Sequence, residues 1–201
     1  MHLLGSLTSP YVRKVRVVLI EAGKQDDIPL QLVKTSPLAT DAVIPASNPI
    51  GKIPALVRDD EPALYDSRVI TRFLDAQFAL GLYPEARIWD VLTLEATAEG
   101  ILDAAVSMAY ERKLRPAEHQ SDAWVDAQWG KIASALSAIE DRWMGMLAGP
   151  LTMPQIALGC ALEYIDLRHG AYEWRNDWPQ LADFQARFGM RDSMQATQPQ
   201  E

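Results

Sequence analysis

One cysteine and three histidines are all that 201 residues offer for disulfide or transition-metal chemistry. Cys160 has no second thiol to close on, which suits a reducing cytoplasm. The scattered histidines do not replace the missing thiolate ligands, so no metal is expected. Basic residues are also in deficit: 19 Lys and Arg face 27 Asp and Glu, a formal charge of −8. An acidic chain without a basic stripe is not built to grip nucleic acid. No apolar run reaches the ~20 residues of a membrane-spanning helix. The start, Met1-His2-Leu3-Leu4, lacks the charged and then apolar stretches of a secretion signal. These absences point to a cytoplasmic protein that works without membrane or nucleic acid.

What is present divides the chain in two. Hydrophobic residues make up 48% and charged residues 23%, enough for a proper core. The first part alternates short elements. Leu3-Leu4-Gly5 is a brief apolar start, and Ser9-Pro10 is a cap and first-turn pair that opens a helix. In that helix Val12, Val15, Leu19 and Ala22 recur at helical spacing, with Arg13, Lys14 and Arg16 on the other side, until Gly23 ends it. A strand is predicted around 28–34, then a loop over 35–52 with one short helix. Ala55-Leu56-Val57 and Ala63-Leu64-Tyr65 flank a turn and read as a hairpin. A helix follows from Asp66-Ser67. The order is β-α-β-α-β-β-α over residues 1–79.

After a linker over 80–87 the strand signals stop. Residues 88–201 read as all-helical. Val91, Leu94, Ala98, Ile101, Ala105 and Met108 mark a long amphipathic helix that ends near Arg115-Pro116. Ile132, Leu136, Ile139 and Trp143 mark a second helix. Residues 156–165 are apolar on nearly every face, so a third helix is expected at the centre, with Cys160 as packing inside it. Thr152 and Gln155 form a capping box at its start. A last helix is predicted from about Pro179 to Phe188. The pattern then fades, which predicts a short mobile tail over 193–201.

Three stretches stand at element ends: Thr8-Ser9-Pro10-Tyr11-Val12-Arg13-Lys14, Asn48-Pro49-Ile50-Gly51-Lys52-Ile53-Pro54 and Leu64-Tyr65-Asp66-Ser67-Arg68. Singly, each has an ordinary reading. Ser9 and Asp66 are helix caps, and Pro54 is a trans proline before a strand. Together, in this order and spacing, they resemble the glutathione S-transferase superfamily, with a thioredoxin-like α/β domain followed by an all-α domain. The similarity runs from Leu3 to about Thr197. The opening Thr-Ser-Pro-Tyr-Val-Arg-Lys is similar to the bacterial and serine-type members.

The resemblance implies a role for each group. Ile53, before a cis bond to Pro54, offers its backbone to the cysteinyl part of glutathione as an added strand would. Asp66 pairs with the γ-glutamyl ammonium, and Ser67 holds the γ-glutamyl carboxylate at a helix start. Lys52 meets the glycyl carboxylate. Ser9 is the implied catalytic residue. An ordinary thiol with a pKa near 8.5 is only about 3% ionised at pH 7, and a hydroxyl donating to sulfur favours the thiolate. Thr8 is a rival donor and Tyr11 a more distant one.

Tyr11, Met108, Tyr110 and Arg112 are candidates for the second-substrate pocket, although Met108 also falls on the core stripe. Gln155 stands where the family usually has Asp. The resemblance further implies a C2 homodimer, glutathione as co-substrate without a tightly bound cofactor, and a small hydrophobic electrophile as the other partner. Detoxification is the expected setting. The rival reading is a non-catalytic interaction protein of the same fold. The surviving glutathione contacts weigh against it, and the absence of Cys near residue 9 weighs against thiol-based disulfide reduction.

Overall fold

The computed structural model describes residues 1–199, which divide into two compact units. The first spans Met1–Tyr83 and takes in the chain again from Asp192; the second is Pro84–Arg191.

In the first unit β1 (His2–Gly5) leads into α1 (Pro10–Glu21), and β2 (Leu30–Leu32), α2 (Val43–Ser47), β3 (Ala55–Val57) and α3 (Ser67–Phe78) follow. The sheet order is β2-β1-β3, with β2 parallel and β3 antiparallel to the central β1. The expected hairpin partner of β3 is reduced to one bridge, in which Leu56 and Leu64 exchange both backbone hydrogen bonds at 2.9 Å. Pro62, which has no N–H to contribute, stands two residues before that bridge and cuts the pairing short. Val12, Val15 and Leu19 are buried as their spacing predicts. Gly5 is needed where β1 meets α1: a Cβ there would lie 2.6 Å from a Val12 methyl.

The second unit contains α4 (Ile88–Leu114), α5 (Asp122–Arg142), α6 (Met144–Leu147), α7 (Met153–His169) and α8 (Pro179–Phe188). Ile156, Ala157, Leu158, Cys160, Ala161 and Leu162 of α7 are all buried, so this helix is the core of the unit. Gln155 Oε1 accepts from the Thr152 amide and from the Thr152 hydroxyl, each at 2.6 Å. Its amide nitrogen donates to the carbonyls of Pro150 at 2.9 Å and Gly149 at 3.3 Å. A carboxylate could not make that second pair of bonds, which is a physical reason for glutamine here. The start of α8 is held from α5: Glu140 accepts the amides of Gln180 and Leu181 at 2.6 and 3.2 Å, and Ser137 accepts the Trp178 indole N–H at 3.0 Å.

The structure refines one expectation and corrects another. The linker expected over 80–87 is partly structured. Leu82 is buried, its amide bonded to Asp75 at 2.7 Å, and the Tyr83 hydroxyl meets Thr71 at 2.8 Å. The first unit therefore runs on to Tyr83. The tail expected to be mobile instead forms α9 (Asp192–Gln195), with Ser193, Met194 and Thr197 buried in the first unit. Its apolar content is a single Met, too little to show as periodicity. Residues 200–201 of that expectation lie outside the described residues.

Candidate functional site

The sheet directs the three stretches to one end, the C-terminal end of β1. β1 runs from His2 to Gly5 and releases the chain toward Ser9. β3 runs the opposite way, with Ala55 paired to Leu4, so Ile53-Pro54 enters the sheet at the end where β1 leaves it. The bridge at Leu64 turns the chain back again, so Asp66-Ser67 follows toward the same end. An antiparallel register thus gathers residues separated by more than forty positions in sequence.

Ser9 is the N-cap of α1. Its backbone is extended, its Oγ accepts the Val12 amide at 3.3 Å, and Pro10 follows in the first turn. The cap uses a lone pair of the hydroxyl. The O–H proton is not consumed by it and can be donated elsewhere. Thr8 is exposed, and its hydroxyl lies 3.3 Å from that of Ser6.

The second stretch is organised by Asn48, which sequence reasoning quoted but gave no role. This buried side chain donates from Nδ2 to the Lys52 carbonyl at 2.8 Å and accepts the Ile50 amide at 3.0 Å. It closes the loop from both ends and leaves Lys52 with an exposed side chain. Gly51, at φ +73, occupies the left-handed turn that this closure requires. The Ile53–Pro54 bond is cis, as expected.

Asp66 caps α3, accepting the Arg68 amide at 3.0 Å, and is ion-paired with the Arg68 guanidinium at 2.9 Å. Partial burial pushes its carboxyl upward. The hydrogen bonds and charge of Arg68, with the charge of Lys14, outweigh that and hold it below the usual aspartate value. Ser67 is buried in the first turn.

Arg13 and Lys14, expected on the outer side of α1, are 2% and 0% exposed. Arg16 is pushed below its ordinary value, by burial first and then by the Arg13 charge. The first half of α1 is therefore a concentration of positive charge in an acidic protein. Alternation of apolar and charged residues could not reveal this, because the groups that bury Arg13 come from the far end of the chain.

The remaining candidates divide between the units. Tyr11, in the first, is half-buried. In the second, Met108 has no exposed surface and serves packing. Tyr110 is 43% exposed, and burial raises its pKa. Arg112 pairs with Asp122 at 2.7 Å and donates to Gln120 at 3.3 Å, tying the end of α4 to the start of α5. Among the described residues no cluster of His, Cys, Asp and Glu could hold a metal ion, and no helix is long and apolar enough to cross a membrane.

Residues 8–77 match the N-terminal domain model of the glutathione S-transferases, and residues 122–187 match the C-terminal domain model. The GST-like protein YibF of Escherichia coli is 30% identical over 99% of this chain and 98% of its own. The chain belongs to the glutathione S-transferase family. A crystal structure of a family member from Pseudomonas fluorescens Pf-5 with bound glutathione is 44% identical, with a TM-score of 0.96 over 100% of this chain and 99% of that one. A glutathione S-transferase from Methylobacillus flagellatus, also with glutathione bound, is 34% identical, with a TM-score of 0.86 over 99% of each chain. In this family setting the small mixed sheet followed by a helical domain is the transferase fold.

Proposed function

We propose that this chain is an enzyme that binds glutathione as co-substrate, converts its thiol to thiolate and delivers the sulfur to a small hydrophobic electrophile or a peroxide. The observation that carries the reading is the strand register that directs Ser9, Ile53-Pro54 and Asp66-Ser67 to one end of the sheet. The glutathione-bound Pseudomonas relative supports it.

In this reading Asp66 takes the γ-glutamyl ammonium, Ser67 the γ-glutamyl carboxylate, Ile53 the cysteinyl backbone and Lys52 the glycyl carboxylate. Ser9 donates its hydroxyl proton to the sulfur as a hydrogen bond, while the thiol proton goes to solvent. With an electrophilic carbon, the sulfur lone pair forms a carbon–sulfur bond and the leaving group departs with the electron pair of the bond that breaks. With a peroxide, the sulfur bonds to one oxygen, and the O–O electron pair leaves on the other oxygen, which takes a proton from solvent. A second glutathione thiolate then displaces hydroxide from the sulfenic acid to give the disulfide. Because Asp66 is held ionised below the usual range, the ammonium contact survives mild acid. A cytoplasmic C2 homodimer without a tightly bound cofactor completes the proposal.

Calorimetry tests it first. Glutathione should bind with Kd between about 1 μM and 1 mM, roughly −8 to −4 kcal/mol. Asp66→Ala should weaken binding by about 1.5–3 kcal/mol, the range for a hydrogen bond to a charged group. No heat and no competition at about 10 mM glutathione, ten times the weak end of that range, would sink the reading.

A further inference from the structure

Helix α1 is built against the usual charge preference. Its first turn holds no acidic residue, and Arg13, Lys14 and Arg16 follow at once, although cations near a helix N-terminus oppose the dipole. Burying a guanidinium is costly unless its N–H groups find partners. Two of the Arg13 guanidinium nitrogens find partners more than 180 residues away, while Nη1 is buried without a hydrogen bond. Nε donates to the Thr197 hydroxyl at 3.3 Å and Nη2 to the Met194 carbonyl at 3.1 Å. The Thr197 hydroxyl donates in turn to the Ser193 carbonyl at 2.7 Å, and the Ser193 hydroxyl donates to Glu21. α9 is thus bonded near the beginning of α1 through Arg13 and at its last residue through Glu21.

The Arg13 end bears on Ser9. The Arg13 amide donates to the Ser9 carbonyl at 3.0 Å, and the Val12 amide donates to Ser9 Oγ at 3.3 Å. The turn that fixes the Ser9 hydroxyl is therefore the turn whose next residue is fastened by the end of the chain. Burial of Ser193, Met194 and Thr197 shields these bonds from water.

We propose that Arg13 is a positioning residue for Ser9, and that residues 192–197 are a clamp which, through Arg13, holds the first turn of α1 in the geometry that aims the Ser9 hydroxyl. The inference rests on the reading of Ser9 as the thiol-activating hydroxyl. It adds that the aim of this hydroxyl is set by a segment remote from it in sequence.

The test uses the full chain carrying Thr197→Val, Arg13→Ala or Arg13→Lys, with Ser9→Ala alongside. Thr197→Val keeps shape and removes the hydroxyl. Three quantities are read: amide hydrogen exchange at Val12 and Arg13, the ultraviolet titration of the bound thiol, and kcat and KM with a generic aryl halide. Thr197→Val should speed exchange at those two amides roughly 10-fold while amides of α5 and α7 stay protected. The thiol titration should move part of the way toward that of Ser9→Ala, and kcat should fall roughly 10-fold with KM within about 2-fold, as misplacement of a reacting group does. Arg13→Lys, which can still reach one carbonyl, should recover part of the loss in Arg13→Ala. If Arg13→Ala does not fold, Thr197→Val still decides.

Unchanged exchange at Val12 and Arg13 in Thr197→Val overturns the clamp. Faster exchange with unchanged titration and kcat, while Ser9→Ala moves both, overturns the positioning role. If Ser9→Ala itself leaves the titration where it was, the reading of Ser9 fails, and exchange alone decides whether the clamp stands.

Discussion

Ser9 has one oxygen and two relations to satisfy. Its lone pair caps α1 at Val12, and its proton is available for a sulfur. Lowering a thiol pKa from about 8.5 to about 6.5 takes roughly 2.7 kcal/mol of preference for the thiolate. One hydrogen bond to a charged atom supplies about 1.5–3 kcal/mol, so a single hydroxyl is of the right size. Ser9→Ala should slow thiol addition to a generic electrophile by roughly 10- to 150-fold, with glutathione affinity nearly unchanged. It should also cost about 0.5–2 kcal/mol of stability through the lost cap, which a melting curve will register. If the bound thiol titrates at the same pH in both proteins, the hydroxyl is a cap only and Thr8 is next to test. Asn48 makes the opposite prediction. Asn48→Ala leaves the Lys52 carbonyl and the Ile50 amide without their partner, at a cost of about 1–3 kcal/mol for each group that stays buried. Glutathione should then bind roughly 10-fold more weakly, because Ile53 is presented by that loop, while the thiol of the bound fraction titrates as before.

Among the elements, α8 shows how a helix start can be capped from outside. Trp178, its N-cap, makes no side-chain cap bond, and Glu140 of α5 takes two of the first amides instead. Glu140→Ala should cost about 1–2 kcal/mol in denaturant unfolding, and Glu140→Gln, which keeps the acceptor but loses the charge, clearly less. An equal loss in both variants would mean that the charge supplies all of it. His169 closes α7 onto α4 by donating from Nε2 to the Ala105 carbonyl at 2.8 Å. Burial lowers its pKa, partly offset by that bond, and the Arg168 charge lowers it further. The unfolded chain therefore takes up the proton first. This contribution to stability is complete above about pH 6.5, the unfolded value, and declines as pH falls through the folded value. The unfolding midpoint should drop between pH 7.5 and 5.5, and His169→Gln should flatten that slope. An identical slope in the variant would assign the pH dependence to other groups.

These elements also show what the sequence could and could not disclose. α8 was readable to its last residue because Pro179 and Gly189 punctuate it. α4 was readable because its apolar positions repeat without interruption before Pro116. The family resemblance was readable from the three stretches in combination, since spacing carries information that a lone Ser-Pro or Asp-Ser does not. Burial of Arg13 and Lys14 was hidden, because charged side chains in a helix read as solvated unless the covering segment is known. α9 was hidden for the matching reason. It is four residues long and contributes one large apolar side chain, the buried Met194, and its polar link to α1 follows no periodicity.

At the scale of the whole molecule, the proposed C2 dimer follows from family membership and from large apolar side chains left exposed, such as Val69 on α3 and Trp89 on α4. Light scattering should report about twice the 22.4 kDa of one chain. A monomer mass across a wide concentration range would refute it.

The first unit also contains both early and late sequence, and this has a consequence for how the protein is made. Residues Met1–Tyr83 leave the ribosome with their sheet and helices encoded, but the segment that bonds Arg13 begins only at Asp192. At 5–20 residues per second, synthesis of the intervening second unit delays that segment by roughly 5–20 s. Throughout that interval a nascent Arg13 has neither Met194 nor Thr197 to donate to, and the helical unit has time to fold first. The first unit, although its sheet is translated before the helical unit, lacks its Arg13 partners until residues beyond Asp192 have been made.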